Sequence, residues 1–208
     1  MEFLQPSKVY PEGSLKMAIN MGSKLVLPVG ARDHVQGPAT APVTLIEYGD
    51  FECPYCAAAY LIVKKIQELM EDELRFVFRH FPLTQVHPHA EVAAEGSEAA
   101  GAQGEFWEMH DLLFENQRTL DAWHLAQFAH QLGLNTRRFV RELEEGSHRG
   151  RVREDFLSGV KSGVNGTPAF FINGFRYDGS WDIEPLLLAL KSVAAQETTA
   201  SKTVGSVA

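Results

Sequence analysis

Both cysteines of this 208-residue chain lie in one tetrapeptide, Cys53-Pro54-Tyr55-Cys56, between a predicted strand and a predicted helix. The preceding run, residues 43–48, is rich in β-branched and aromatic residues and is typical of a buried strand. Apolar residues then recur at helical spacing through residues 54–70. A further segment, residues 74–79, alternates apolar and polar side chains as a strand does. Residues 43–79 therefore predict a strand–helix–strand unit.

The position of the cysteine pair favours redox chemistry. Cys53 would lie at the N-terminus of the helix, where unpaired amides and the helix dipole stabilise a thiolate and lower its pKa. Cys56 follows one turn later, within reach of a disulfide to Cys53, and should be the less exposed thiol. A purely structural disulfide is an alternative, but a loop this small would stabilise the fold little.

Half of a zinc site is the other alternative for the cysteine pair. Zinc would need two further ligands. The candidates are His80, His87 and His89, but their spacing matches no common zinc-binding pattern. Two other histidines, His110 and His124, fall within helical patterns and are expected to be surface or partly buried helix residues. We therefore predict no metal.

The rest of the chain divides into segments of distinct character. Residues 88–162 predict four to five short helices with no convincing strand. Two short apolar runs flank Asn173-Gly174, the strongest local signal for a two-residue hairpin turn, and a last helix follows to about residue 192. Residues 1–36 are expected to be a loosely structured arm, and residues 194–208 a disordered tail.

Composition excludes several classes of protein. The net charge is −8 without a cluster of Lys and Arg, which argues against a nucleic-acid binder. No apolar run approaches the ~20 residues that cross a bilayer, so we predict no membrane insertion. We find no secretory signal, and the expected compartment is the cytoplasm, with a periplasmic or extracytoplasmic location as the alternative.

Three features together resemble a known family: Glu47 in the first strand, the Cys53–Cys56 turn, and Gly166-Thr167-Pro168 ahead of the hairpin. They are similar to the DsbA-like thiol:disulfide oxidoreductases of the thioredoxin superfamily. The 112 residues from Cys56 to Pro168 leave room for an inserted helical domain. Flanking residues also resemble the thioredoxin-like domains appended to sodium/proton antiporters, of which this chain would be a free-standing relative.

The resemblance implies an α/β class and a thioredoxin fold with a helical domain inserted between a βαβ half and a ββα half. The first half of the core would span residues 37–87, the helical domain 88–162 and the second half 163–193.

The resemblance also assigns roles to residues. Cys53 would attack, Cys56 would resolve, and Pro168 would be a cis-proline facing them. Thr167 would present backbone groups to an extended substrate, a form of strand addition. Pro54 and Tyr55, between the cysteines, would contact substrate and tune the redox potential.

Glu47 lies six residues before Cys53, where this superfamily keeps a buried acid. Burial would raise its pKa, so that it could relay a proton to or from Cys56. A solvated acid at a strand edge is the alternative. Asp50 and Glu52 are closer to the cysteines in sequence and are expected to be solvated.

The predicted function is exchange of a Cys53–Cys56 dithiol or disulfide with protein substrates, through a mixed disulfide at Cys53. It needs no cofactor beyond the redox-active pair. The expected partners are cysteine-containing proteins and an unidentified thiol redox partner. A glutathione-dependent, kappa-like transferase and a non-catalytic, redox-sensing binding module are the alternatives. The sequence leaves the direction of electron flow open.

Overall fold

The computed structural model describes the backbone of residues 19–205 and the side chains of residues 23–197. This part of the chain contains six strands and seven α-helices. The strands are β1 (Ile19–Lys24), β2 (His34–Gln36), β3 (Val43–Gly49), β4 (Leu74–His80), β5 (Ala169–Ile172) and β6 (Phe175–Tyr177). The helices are α1 (Pro54–Met70), α2 (Ala90–Gly101), α3 (Phe106–Glu115), α4 (Ala122–Gln131), α5 (Thr136–Glu145), α6 (Arg149–Lys161) and α7 (Ile183–Gly205).

The strands form one mixed sheet in the order β1-β6-β5-β3-β4-β2. β3 and β4 are parallel and are joined by α1, whereas β5 runs antiparallel to β3 and β6 antiparallel to β5. Five helices, α2 to α6, lie between β4 and β5 in the chain. The predicted α/β class, with a helical insertion between a βαβ half and a ββα half, is confirmed.

Side chains alternate across β3 and so contribute to two separate cores. Leu45 belongs to the larger core, which α1, α7 and the inserted helices complete. Ile46 and Tyr48 belong to a smaller core on the opposite face, against Phe156 of α6. Because Glu47 is two residues after Leu45, the same alternation directs it to the face that α1 covers.

The hairpin between β5 and β6 turns at Asn173 and Gly174, whose φ angles of 47° and 81° are both positive. Asn and Gly adopt this conformation at low cost, which is why the dipeptide favours such turns. The Asn173 amide also accepts a hydrogen bond from Thr44 N at 2.7 Å and donates one to Pro42 O at 3.1 Å. The hairpin is thereby fixed to the start of β3.

Two predicted boundaries need correction. The described part of the expected arm is not loose, because β1 pairs with β6 and β2 pairs with β4. Its connecting segment is held by Arg79, whose guanidinium donates to Asp33 at 2.8 Å and to Leu27 O at 2.9 Å. The expected tail is likewise helical as far as Gly205, since α7 continues past residue 192. Residues 1–18 and 206–208 lie outside the described part of the chain.

Among the residues that the structure describes, no helix combines the length and the apolar character needed to cross a membrane.

Candidate functional site

The two cysteines occupy the N-terminus of α1. Cys53 is the N-cap residue with extended backbone, and Pro54 begins the helix at a position where an amide would have no intrahelical partner. Cys53 retains 3% of its exposure and Cys56 none, so Cys53 is the thiol nearer to solvent. Both are free thiols, and the structure therefore represents the dithiol form of the pair.

The pKa of Cys53 is lowered from its ordinary value of 9.0 to about 5. The largest cause is a hydrogen bond from the Cys56 thiol, against the opposing effect of burial. Thr167 and the backbone amides of Tyr55 and Cys56 also stabilise the thiolate. Amides at the first turn of a helix are the groups expected to do so. Cys53 is therefore ionised at neutral pH.

Cys56 differs from Cys53 although only one helical turn separates them. Burial, the hydrogen bond to Cys53 and the charge of Glu47 hold the pKa of Cys56 well above 9.0. Its sulfur accepts a hydrogen bond from the Asp50 amide at 3.4 Å. One thiol of the pair is thus a thiolate at neutral pH, whereas the other keeps its proton.

Glu47 is buried in a central strand and exposes 2% of its area, which excludes a solvated strand-edge position. Burial, followed by the negative charge of Cys53, raises its pKa from 4.5 to about 8. Its Oε1 atom has no hydrogen-bond partner among the described residues. A buried carboxyl whose pKa lies near neutrality, next to a protonated thiol, has the properties of a general acid or base.

The loop before β5 lies against the cysteine turn. The Thr167–Pro168 peptide bond is cis, and the Cys53 sulfur lies 3.5 Å from Thr167 O. Pro54 and Tyr55 follow Cys53 in the first turn of α1 and are both exposed, Tyr55 to 64%.

Asp50 is not solvated, contrary to the expectation from sequence. It is 2% exposed and accepts hydrogen bonds from the amides of Glu52 and Leu83, at 2.8 and 2.9 Å, and from His87 Nδ1 at 2.7 Å. Glu52, which is half-buried, makes a parallel pair with His89, accepting from its amide at 2.6 Å and lying 3.0 Å from its Nδ1. The two acids hold the 83–89 loop against the turn that carries Cys53.

The inserted helices also reach the site, through Gln117 in the loop after α3. Its side-chain amide donates to Phe51 O at 2.7 Å and to Cys53 O at 2.9 Å. Sequence reasoning missed Gln117, and no local signal identifies it, because 64 residues separate it from Cys53. The His-Pro-His motif at 87–89 is visible in the sequence. Its pairing with acids 37 residues away could not be predicted, because no periodic pattern links the two segments.

The histidines considered for zinc have other partners. His80 Nε2 lies 2.9 Å from Glu98, whereas His87 and His89 contact Asp50 and Glu52. His110 also differs from expectation, since it is 4% exposed and packs among aromatic rings of the larger core.

One buried group has the composition of a metal site: His80, Glu98 and Asp155. Arg151 forms an ion pair with Asp155, and its Nε lies 3.8 Å from Glu98. The guanidinium therefore supplies the positive charge that a metal ion would bring to these carboxylates.

A family model described as thioredoxin matches residues 31–192. Among curated proteins, the chain is 50% identical over 174 residues to the Na(+)/H(+) antiporter NhaA 1 of Salinispora arenicola, covering 82% of this chain and 26% of that protein. It is 42% identical over 160 residues to NhaA of Herminiimonas arsenicoxydans, covering 77% of this chain and 25% of that protein. The chain thus spans about a quarter of the length of these relatives. The predicted relation to antiporter-associated domains is confirmed, whereas the free-standing state stays a prediction.

Solved structures with the same fold include oxidised BdbD from Bacillus subtilis, with a TM-score of 0.74 and 22% identity, covering 83% of this chain and 98% of that one. Wolbachia pipientis alpha-DsbA1 has a TM-score of 0.72 and 19% identity, covering 85% and 97%. The catalytic domain of Proteus mirabilis ScsC has a TM-score of 0.66 and 20% identity, covering 80% and 91%. These similarities concern the fold.

Proposed function

Since this chain belongs to the thioredoxin family, we propose that it is a thiol:disulfide oxidoreductase that acts on cysteine-containing proteins through a mixed disulfide at Cys53. The observation that carries the proposal is the opposite ionisation of two neighbouring thiols: the pKa of Cys53 is about 5 and that of Cys56 lies well above 9.0. A thiolate is both the attacking species and the better leaving group in disulfide exchange.

In the reducing direction, the Cys53 thiolate attacks a substrate disulfide, a Cys53–substrate disulfide forms, and one substrate thiolate leaves. The mixed disulfide removes the negative charge of Cys53, which had helped to raise the pKa of Glu47, and Glu47 can then ionise. The ionised Glu47 takes the proton of Cys56, whose thiolate attacks the Cys53 sulfur and releases the second substrate thiolate. Two electrons pass from the cysteine pair to the substrate. In the oxidising direction each step is reversed, and Cys53 leaves as a thiolate.

Substrate would be held beside Cys53 by the Thr167 backbone, with Pro168 next to it, and by the exposed Pro54 and Tyr55. The first of these contacts would be a form of strand addition. No metal or organic cofactor is needed for this chemistry, because electrons pass between sulfur atoms. An external thiol redox partner must restore the pair, since the chain contains no further cysteine. A cytoplasmic location stays a prediction.

Trapping of the mixed disulfide tests this function. Reduced Cys56→Ser protein, mixed with a disulfide-bonded substrate such as insulin, should accumulate a covalent adduct at Cys53 that reductant releases. Cys53→Ser is the matched control and should form no adduct. Wild-type protein should turn over insulin in the presence of a thiol reductant. Equal behaviour of wild type and Cys53→Ser, together with no trapped adduct, would leave a non-catalytic binding role.

The direction of electron flow is a separate measurement. Equilibration of the Cys53–Cys56 pair with glutathione gives its reduction potential. Thioredoxin lies near about −270 mV and strong oxidants near about −120 mV, and a stabilised thiolate shifts a pair toward the oxidant end. A pKa of about 5 for Cys53 lies between those of thioredoxin and strong oxidants. We therefore expect an intermediate potential.

A further inference from the structure

A narrow cavity lies between β3, β4, α1 and α3, with room for about one water molecule. Both polar and apolar side chains line it. The titratable ones are Glu47, Tyr60, Lys64, His110 and Asp111. The cavity therefore brings Glu47, the proposed proton acceptor of Cys56, together with His110 and Asp111 of the inserted helix α3.

Two buried polar atoms of this lining have no hydrogen-bond partner among the described residues: Glu47 Oε1 and His110 Nε2. Glu47 is 2% exposed and His110 4% exposed, so bulk water does not solvate either group. Unpaired buried polar atoms are costly, and a single water between two of them is the common remedy. Both side chains line the cavity, so a water in it would lie beside each of them.

The other nitrogen of the His110 ring, Nδ1, contacts a side chain that is partly exposed to solvent. His110 Nδ1 lies 3.0 Å from an oxygen of Asp111, and the second oxygen of Asp111 forms an ion pair with Lys64. The Lys64 and Asp111 side chains are 44% and 27% exposed. A neutral ring that donates from Nδ1 to Asp111 has a free lone pair on Nε2.

We propose that His110 passes protons between Glu47 and solvent through one water in this cavity, so that Asp111 and Lys64 form the outer end of the route. The inference rests on the proposed function. Glu47, which holds a proton at rest, first passes it through water to His110 Nε2, and His110 releases it to solvent. The ionised Glu47 then takes the proton of Cys56, and the Cys56 thiolate forms the disulfide with Cys53 as the second substrate thiolate leaves. Oxidation of a substrate uses the same route in reverse.

The surrounding charges suit a transient imidazolium. Burial, supported by the positive charge of Lys64 and the nearby His80, lowers the pKa of His110, so the ring is neutral at rest. Asp111 acts in the opposite direction and stabilises the ring while it holds an extra proton. Tyr60, bonded to Glu115 at 3.0 Å, is the remaining titratable group of the cavity wall. Burial and the acids around Tyr60 raise its pKa well above its ordinary value of 10.0, outside the range in which it would exchange protons, and it stays neutral.

Stopped-flow reaction of reduced protein with Ellman's reagent separates the two sulfur steps. The first thionitrobenzoate is released when Cys53 attacks, and the second when Cys56 resolves the adduct. We expect His110→Phe, which keeps an aromatic ring in the core, to leave the first phase unchanged. The second phase should slow about tenfold and lose the part of its pH profile that follows His110.

Further variants distinguish a proton route from a packing role. Asp111→Asn, at a partly exposed position, should slow only the second phase, by about threefold. Glu108→Gln, an exposed acid on the same helix, is the matched control and should change neither phase. A Glu47→Gln/His110→Phe double variant should be no slower than Glu47→Gln alone, because both residues act in one route.

Three outcomes would overturn the relay: an unchanged second phase in both His110→Phe and Asp111→Asn, equal slowing of both phases, or multiplying effects in the double variant. Failure of the proposed function is distinct. In that case Cys56→Ser traps no adduct with insulin, whatever stands at residue 110.

Discussion

At the scale of single residues, the site depends on where protons are held at neutral pH. Cys53 has lost its proton, whereas Cys56 and Glu47 are both in surroundings that favour their protonated forms. The cause in each case is local: hydrogen bonds to sulfur for Cys53, and burial for Cys56 and Glu47. Each effect can be measured by changing one side chain.

Titration of the Cys53 thiolate tests its hydrogen bonds. Thiolate absorbance of the reduced protein should rise with a midpoint near pH 5. In Cys56→Ala the midpoint should move upward by at least about one pH unit, because the largest stabilising hydrogen bond is removed. Cys53→Ser should lose this absorbance step and serves as the control. An unchanged midpoint in Cys56→Ala would contradict the assignment.

Glu47 should make stability depend on pH. Its pKa is about 8 in the folded protein against 4.5 ordinarily, so the folded state holds a proton that the unfolded chain releases. Stability therefore falls as pH rises from about 4.5 to about 8. For reduced protein, the free energy of unfolding of Glu47→Gln relative to wild type should increase by about 3 kcal/mol between pH 5 and pH 8.

Urea unfolding at the two pH values measures this difference. The matched control is Glu108→Gln, which removes a carboxyl from an exposed helical position and should parallel wild type. Parallel pH curves for wild type and Glu47→Gln would show that burial does not hold the Glu47 proton.

At the scale of elements, the cysteine turn is supported from two directions. The 83–89 loop is tied to it by Asp50 and Glu52, and the segment after α3 is tied to it by Gln117. None of these contacts lies within α1 itself. The geometry of the helix N-terminus is therefore maintained by loops that belong to other parts of the chain.

Asp50→Ala should be strongly destabilising for this reason. The change leaves the buried amides of Glu52 and Leu83 and the His87 ring without an acceptor. We expect the free energy of unfolding to fall by about 2–4 kcal/mol, measured with urea. Glu52→Ala, at a more exposed position, is the comparison and should cost about 1 kcal/mol. Equal losses in the two variants would argue against a special role for Asp50.

At the scale of the whole molecule, one carboxylate joins the sheet to the inserted helices. Glu98 of α2 lies 3.0 Å from His34 of β2 and 2.9 Å from His80 of β4. The His34 ring also stacks on Phe106 of α3 with centroids 3.4 Å apart. Burial acts to raise the pKa of Glu98. The contacts with these two histidines nevertheless hold that pKa well below its usual range.

Glu98→Gln should therefore weaken the joint in a pH-dependent way. A carboxyl whose pKa is lowered on folding contributes stability above its unfolded pKa, and this contribution is lost as pH falls below about 4.5. We expect a deficit of about 2–4 kcal/mol against wild type at pH 7 that shrinks at pH 3.5, by urea unfolding. Glu91→Gln, exposed on the same helix, should show almost no deficit. The same deficit for Glu98→Gln at both pH values would contradict this account.

The candidate site could be predicted where its chemistry is local. Cys53 at a helix N-terminus and Glu47 in an apolar strand follow from spacing and periodicity, as does the hairpin at Asn173-Gly174. The burial of Asp50 and His110 could not be predicted, because each contacts residues on elements that are distant in the sequence. The identity of a charged or titratable residue does not indicate which element of the fold will bury it.

By itself the sequence determined the strand–helix–strand unit, the helix that carries the cysteines, the helical character of the segment before β5 and the hairpin, because each depends on side-chain period or turn chemistry within a few residues. Tertiary structure alone decided that β1 and β2 pair at the sheet edges, that α7 extends to Gly205, and that Glu47 and His110 line one cavity. Short edge strands and buried polar contacts gain stability only from partners that are distant in the sequence. No local sequence pattern therefore predicts them.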